Sequence, residues 1–432
     1  MGFADFIEKR RKKNPPIIGN SGIPAYCLKK IGSRHILLAG GGGAAKTGVK
    51  NEIETHLLTT NLANPEIGLR AECVDKFNTD TFATMNMDIA CVGEEQNGKY
   101  VIAAGHDQFC DLYITRGYKL TDEELERRLA YDMSSMKRIR TDEHPNNSYQ
   151  KCVRFDRNSR GRIFATGGAD GNIRIWDARV ILRSESENEA VPLITIKAHK
   201  NDVDDLDFGF DSQTIISIGS DGTSSIWCTK TGEKLLDLPF PSELSKGFKM
   251  RSIRCTNLGA ASNNNVFVAA YNSISRSSKD MASYVALWAF NMERKAARPF
   301  VVKIVAKGEA VSSLAVSDCG NFVAIGTMSG GVAVFDTHEF KRLLYSPETH
   351  GIFVTGLEFV NTVAGNISDD TSLSPVGPGA ASGYQTTVLS LSADQSVQLH
   401  RVPFAKPTPF TEILLIASLI SLFLWYFLSF FI

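Results

Sequence analysis

The stretch "AGGGGAAKTGVKN", Ala39 to Asn51, is the part of this chain whose residue types and spacing come nearest to chemistry. Its four glycines, Gly40 to Gly43, followed by Lys46 and Thr47, nearly spell the phosphate-cradling pattern G-x-x-x-x-G-K-[ST]. The match fails at Ala45, where that pattern needs its second glycine. It fails again in context. A phosphate cradle opens a helix, whose first amides and dipole hold the anion. Here "NEIETHLL" follows, with Ile53, Thr55 and Leu57 alternating against Glu52, Glu54 and His56. That period of two is a strand. The glycines therefore lie in a long hairpin loop, Gly41 to Lys50. Either they permit a wide bulge at a sheet end, or they bring backbone close to a partner. No histidine, carboxylate pair or cysteine falls in a recognisable catalytic arrangement, so covalent enzyme chemistry and a small-molecule substrate are not expected.

The elements around the loop repeat. "GGADGNIRIWD" (Gly167 to Asp177) and "IGSDGTSSIWC" (Ile218 to Cys228) align without gaps. In both, Asp-Gly marks a two-residue hairpin turn and an alternating strand ends in Trp176 or Trp227. Weaker copies put Tyr113, Trp288, Phe335 and His400 at the tryptophan position, and "NEIETHLL" makes the earliest copy. Seven units of four short strands describe an all-β, seven-bladed WD-repeat propeller over residues 23–410. A basic segment, 1–22, precedes it. Residues 14–22 are the candidate for a missing outer strand of the last blade, the alternative being a three-stranded blade. Two insertions are expected. Residues 119–147, with "TDEELERRLAYDMSSMKR", read as a solvated charged helix between blades 2 and 3. Residues 361–386 are rich in Gly, Ser and Pro and read as disordered. His199, in "KAHKNDV", is expected to make a structural hydrogen bond between strands.

Lys plus Arg and Asp plus Glu are both 47, so no overall field draws the chain to nucleic acid, and "KRRKK" (Lys9 to Lys13) reads as a solvated or lipid-facing tail. The eight cysteines show no C-x-x-C pair, which argues against a zinc site and for a reducing compartment. "ILLIASLISLFLWYFLSFFI", Ile413 to Ile432, has no charge, proline or glycine. As a helix it would extend about 30 Å, a bilayer core, so a transmembrane helix over 413–432 is expected. Arg401 and Lys406 on its N-terminal side keep the propeller cytosolic.

A glycine run followed by Gly48-x-x-Asn51, ahead of a strand in the first blade of a divergent WD propeller with a C-terminal anchor, resembles one family. This is the prolactin regulatory element-binding protein family of endoplasmic-reticulum-membrane guanine-nucleotide exchange factors. The resemblance runs the length of the chain, except that no lumenal domain follows the span. It implies GDP-for-GTP exchange on the small GTPase that starts COPII coat assembly at ER exit sites. It also implies a GTPase-contacting exchange loop, here Gly40, Gly41, Gly42, Gly43, Lys46, Thr47, Gly48 and Asn51. A potassium ion would organise that loop through the carbonyls of Gly41, Gly42, Gly43 and Ala44. The other reading is a WD scaffold at the ER membrane without exchange activity.

Overall fold

The computed structural model describes residues 15–432 apart from 46–47, 62, 65–66, 122–126, 185–189, 245–246, 259–263, 276–280, 361–383, 405–409 and 429–432; side chains 410–417 and 428 are also outside the description. Seven four-stranded antiparallel sheets form a ring of blades. Blade 1 runs through Ala25–Ile31, His35–Gly40, Glu52–Thr60 and Leu69–Asn78. Blades 2 to 6 follow in chain order, each ending before the next begins, with innermost strands at Asn86–Cys91, Gln150–Phe155, Val203–Phe208, Phe248–Thr256 and Val311–Val316. Blade 7 takes Val354–Val360, Tyr384–Ser392 and Ser396–Pro403, and its outer strand is Ile17–Asn20 from the other end of the chain. The segment set apart as 1–22 thus contributes a strand to the propeller and closes the ring, which settles the choice between three and four strands.

Packing explains why the pattern had to be a ring. The middle strands are buried on both faces, as in His35–Gly40 and Thr214–Gly219, where every residue is buried. Each hydrophobic cluster spans two neighbouring blades. Leu37 and Ile53 of blade 1, for example, meet Met87, Ile102 and Tyr113 of blade 2. A lone blade would leave both faces wet. Six of the seven innermost strands carry a register shift at their start, as between Ala25 and Cys27 or Val203 and Asp205. The innermost strands line a central channel of about 830 Å³. Its charges neutralise one another across blades. Lys29 pairs with Asp88 at 2.8 Å, Arg254 with Asp205 at 2.6 Å, and Arg157 with Asp207 at 2.9 Å. Asp88 also accepts the Phe155 N–H, and Asp207 that of Cys255, so a carboxylate of one blade holds the backbone of the next.

Among the described residues of 119–147 there is a strand in place of the expected helix. Residues 122–126 lie outside the description, and Leu129–Arg140 is the outer strand of blade 2, paired with Phe109–Leu120. Leu129, Tyr131 and Met133 alternate inward while the charges face out, and a long third strand supplies the hydrogen-bonding partner. The expected disordered insertion lies outside the described residues, except 384–386, which open a strand. All eight cysteines are free. Near the C-terminus a helix spans Phe410–Leu428, and its described apolar side chains, among them Leu419, Phe423 and Trp425, are exposed. Among the described residues no helix is long and apolar enough to cross a membrane.

Candidate exchange loop

The propeller places the glycine loop where the sequence put it, between the second and third strands of blade 1. That face of the ring is made of the turns joining second to third strands and of the crossings between blades. In blades 3 and 4 the equivalent turns are short, three residues (Ala169, Asp170, Gly171) and four (Ser220, Asp221, Gly222, Thr223) rather than the two expected from Asp-Gly alone. In blade 1 the chain leaves the sheet at Gly41 and returns at Asn51, both buried, with Ala44, Ala45, Gly48, Val49 and Lys50 exposed between them.

The base of the loop is held by hydrogen bonds, and the described residues of its tip are exposed. Asn51, 5% exposed, accepts the Gly43 N–H at 2.9 Å, and its amide donates to the carbonyls of Gly43 (3.1 Å) and Asp80 (3.0 Å). One side chain so ties both loop limbs to the crossing into blade 2. The Gly41 N–H donates to the Pro24 carbonyl at 2.9 Å, joining the loop to the segment that closes the ring. Positive φ angles fall on Gly41 (134°), Gly43 (69°) and Gly48 (78°), backbone that favours glycine. A Cβ on Gly41 would stand 2.3 Å from the Asn51 side-chain oxygen, and one on Gly40 would stand 2.1 Å from the Pro24 carbonyl. At Gly43 a Cβ would meet nothing within 4 Å. The first two glycines fit the loop to its base, and the third shapes a surface. Lys46 and Thr47 lie outside the described residues.

Behind the loop sits a cluster that sequence spacing could not reveal. Glu54, His56 and Cys73 place ligand-type atoms within 4.8 Å of one another, because His56 and Cys73 are cross-strand partners. Its bonding describes a clamp. Glu54 is fully buried and accepts the Gly22 N–H at 3.1 and 3.2 Å, Lys76 Nζ at 2.8 Å and His56 Nε2 at 2.9 Å. Burial alone would raise the Glu54 carboxyl, but the bonds from His56 and Lys76 outweigh it and hold it at about 2. Desolvation of its sulfur and the neighbouring Glu54 charge push the Cys73 thiol up to about 11, so it is protonated at neutral pH. Glu54, on the third strand, and Asn51, just ahead of it, thus hold Gly22 and Gly43 respectively.

The other candidates resolve as framework. His199 Nε2 meets Ser217 Oγ at 2.8 Å, Ser217 accepts from Trp227 Nε1 at 2.9 Å, and His199 Nδ1 meets Thr223 at 2.9 Å beside Asp221. Blade 7 rebuilds this with His400 at the tryptophan position. His400 Nε2 and His350 Nε2 share Ser390 Oγ at 2.8 and 2.7 Å, and Asp394 stands 3.3 Å from His350 Nδ1. Burial, with His350 nearby, lowers His400 to about 3, and burial lowers the buried His35 to about 4. These rings are neutral struts.

The chain matches the family described as WD domain, G-beta repeat, at residues 137–177 and 190–228. Each match takes in outer-strand residues of one blade and ends in the third strand of the next, so the sequence repeat straddles two sheets. The chain is 25% identical over 426 residues to the guanine nucleotide-exchange factor SEC12 of Mus musculus, covering 91% of this chain and 92% of that one. SEC12-like protein 1 of Arabidopsis thaliana is 29% identical over 219 residues, 50% of this chain and 47% of that one. WD repeat-containing protein 91 of Gallus gallus is 29% identical over 137 residues, 31% of this chain and 17% of that one. The SEC12 likeness covers 91% of this chain, which agrees with a resemblance drawn from the loop, the repeats and the tail.

Proposed function

We propose that this chain, a member of the WD-repeat exchange-factor family to which the SEC12 proteins belong, releases GDP from the small GTPase that initiates COPII coat assembly and so allows GTP to load. The observation that carries this reading is the exposed glycine loop, anchored by Asn51 on a face whose equivalent turns in blades 3 and 4 are tight.

Exchange needs no bond made or broken in the protein. It needs an element that binds the GTPase more strongly when the nucleotide is gone, and that difference alone drives release. Gly40 and Gly41 are buried at the base, so the bare backbone that can approach a partner closely is that of Gly42 and Gly43, and the loop's amides and carbonyls can take over contacts that the departing nucleotide made. Its fixed base reduces the ordering cost of binding. Lys46 is the residue of the loop suited to acidic or phosphate groups on the partner.

A potassium ion suits the donor chemistry of the loop. The carbonyls of Gly41, Gly42, Gly43 and Ala44 would hold it, and they are neutral oxygens of the kind a monovalent cation takes. Glu52, next to Asn51, is already paired with Lys50 at 3.7 Å and Lys76 at 3.6 Å, which leaves the carbonyls as the donor set. When bound, the ion would supply rigidity to the exposed limb.

The membrane part of the proposal rests on the apolar run Ile413 to Ile432 and on the exposed side chains of the helix that contains most of it. It would hold the propeller at the cytosolic face of the ER membrane. Removing 413–432 should move the protein from the membrane pellet to the soluble fraction with its propeller folded; retention in the pellet would contradict the anchor. The exchange proposal is tested by adding the full chain to a GDP-loaded COPII GTPase and following nucleotide release. An unchanged release rate would favour a scaffold.

A further inference from the structure

Across the ring from the glycine loop, on the same face, a cleft of about 510 Å³ opens around the crossing from blade 4 to blade 5. That is within the range of ligand pockets, about 300–1,000 Å³. Its floor is apolar: Met250 and Tyr271 are buried, and the Phe240 ring stands edge-on to Tyr271 at 6.1 Å while remaining 46% exposed. Its rim carries four lysines, Lys197, Lys200, Lys234 and Lys249, and two carboxylates, Asp221 and Asp237.

The charges do not cancel. Lys234 is paired with Asp237 at 2.9 Å and lies over the Trp227 ring, and Lys249 reaches Asp204 at 3.4 Å. Asp221 is engaged with the Thr223 hydroxyl and the Lys200 backbone N–H, beside His199. Among the described residues no carboxylate pairs with the ammonium groups of Lys197 or Lys200, both exposed. An exposed aromatic ring on a buried apolar floor, under two unneutralised cations, selects a ligand with an apolar anchor and negative charge beside it. A concave cleft admits a short chain segment and excludes a flat bilayer. Among the described residues its lining holds no arginine, the residue whose fork grips phosphate in two places.

We propose that this cleft binds a short acidic segment of a partner protein, with one aromatic or aliphatic side chain seated against Phe240 and carboxylates facing Lys197 and Lys200. The site is independent of the exchange reading. Because it stands across the ring from blade 1, a partner held here leaves the glycine loop open, and the propeller can hold two proteins at once.

The test is fluorescence anisotropy of a labelled peptide, a Phe-Leu pair flanked by Asp and Glu, titrated with the full chain in neutral detergent. Saturable binding should weaken about tenfold or more in K197E/K200E and in Phe240→Ala, and fall with added salt. A peptide with lysines in place of the acidic residues should not bind. Both substitutions sit at exposed positions, so unchanged thermal unfolding checks that the variants are folded. The proposal is overturned if the two peptides bind alike, or if the substitutions leave binding intact. It is equally overturned if phosphatidylserine vesicles or inorganic phosphate displace the peptide, since that assigns the lysines to a lipid surface or a simple anion.

Discussion

The turn after the second strand is built in opposite ways in blade 1 and blade 4. In blade 4, Asp221-Gly222 closes the hairpin within the four residues from Ser220 to Thr223, and Asp221, Thr223, His199, Ser217 and Trp227 link it by hydrogen bonds through to the core. In blade 1 the same connection runs from Gly41 to Lys50, is bonded at its base through Asn51 and Pro24, and has an exposed tip. Both use glycine with positive φ, Gly222 at 84° and Gly43 at 69°, and at both a Cβ would meet nothing within 4 Å. The backbone solution is shared, and the surroundings differ. One turn transmits stability inward, while the other presents backbone outward on a fixed base.

If that contrast is right, perturbing the two turns separates exchange from stability. Gly41→Val should have the largest effect. It drives side-chain atoms into Asn51 at a φ of 134°, breaks the loop base, and should lower exchange by roughly a hundredfold, about 2.7 kcal/mol in the rate. Its melting temperature should move by only about 2 °C, because no blade core is touched. Trp227→Ala is the converse. Removing this buried ring should cost about 3–5 kcal/mol of stability, read in denaturant unfolding, while the folded fraction exchanges normally.

Acid should act on the framework before the loop. His400 and His35 have native values near 3 and 4 against an unfolded value of 6.5, so the unfolded chain takes up protons that the native chain refuses. Their contribution is complete above pH 6.5 and is lost as pH falls through 6.5 toward 4, by roughly 3 kcal/mol for each ring and about 6 kcal/mol in total. Urea midpoints measured at pH 7.5 and 4.5 check this, and replacing His400 with Phe should flatten the slope. The smallest effect sharpens the comparison most. Gly43→Ala and Gly222→Ala each add a methyl at positive φ in open space, with backbone strain of about 1 kcal/mol apiece. The first should slow exchange severalfold and the second should leave it unchanged, since only the first methyl stands on the surface offered to the GTPase.

The repeat was legible because Asp-Gly turns and the residues at the tryptophan position recur with a fixed offset. Even His400 could be placed there, and it bonds to Ser390 as Trp227 does to Ser217. The glycine loop was also legible, since a run of glycines ahead of an alternating strand carries its backbone consequence with it. What could not be read was anything set by pairing between distant segments: the Gly22–Glu54 bonds, the Pro24–Gly41 bond, the His56–Cys73 neighbourhood and the register shifts of the innermost strands. The helix expected within 119–147 failed for a related reason. Charged residues on the open face of an outer strand resemble those of a solvated helix, and only pairing with Phe109–Leu120 distinguishes them.

The most direct test follows fluorescent GDP leaving the COPII small GTPase, with the intact chain and its Gly41→Val variant compared at equal concentration. The account predicts rapid release with the intact chain, a loss of about two orders of magnitude with the variant, and nearly coincident thermal unfolding of the two proteins. Equal release by both, or a variant that is slow only because it is unfolded, would contradict it.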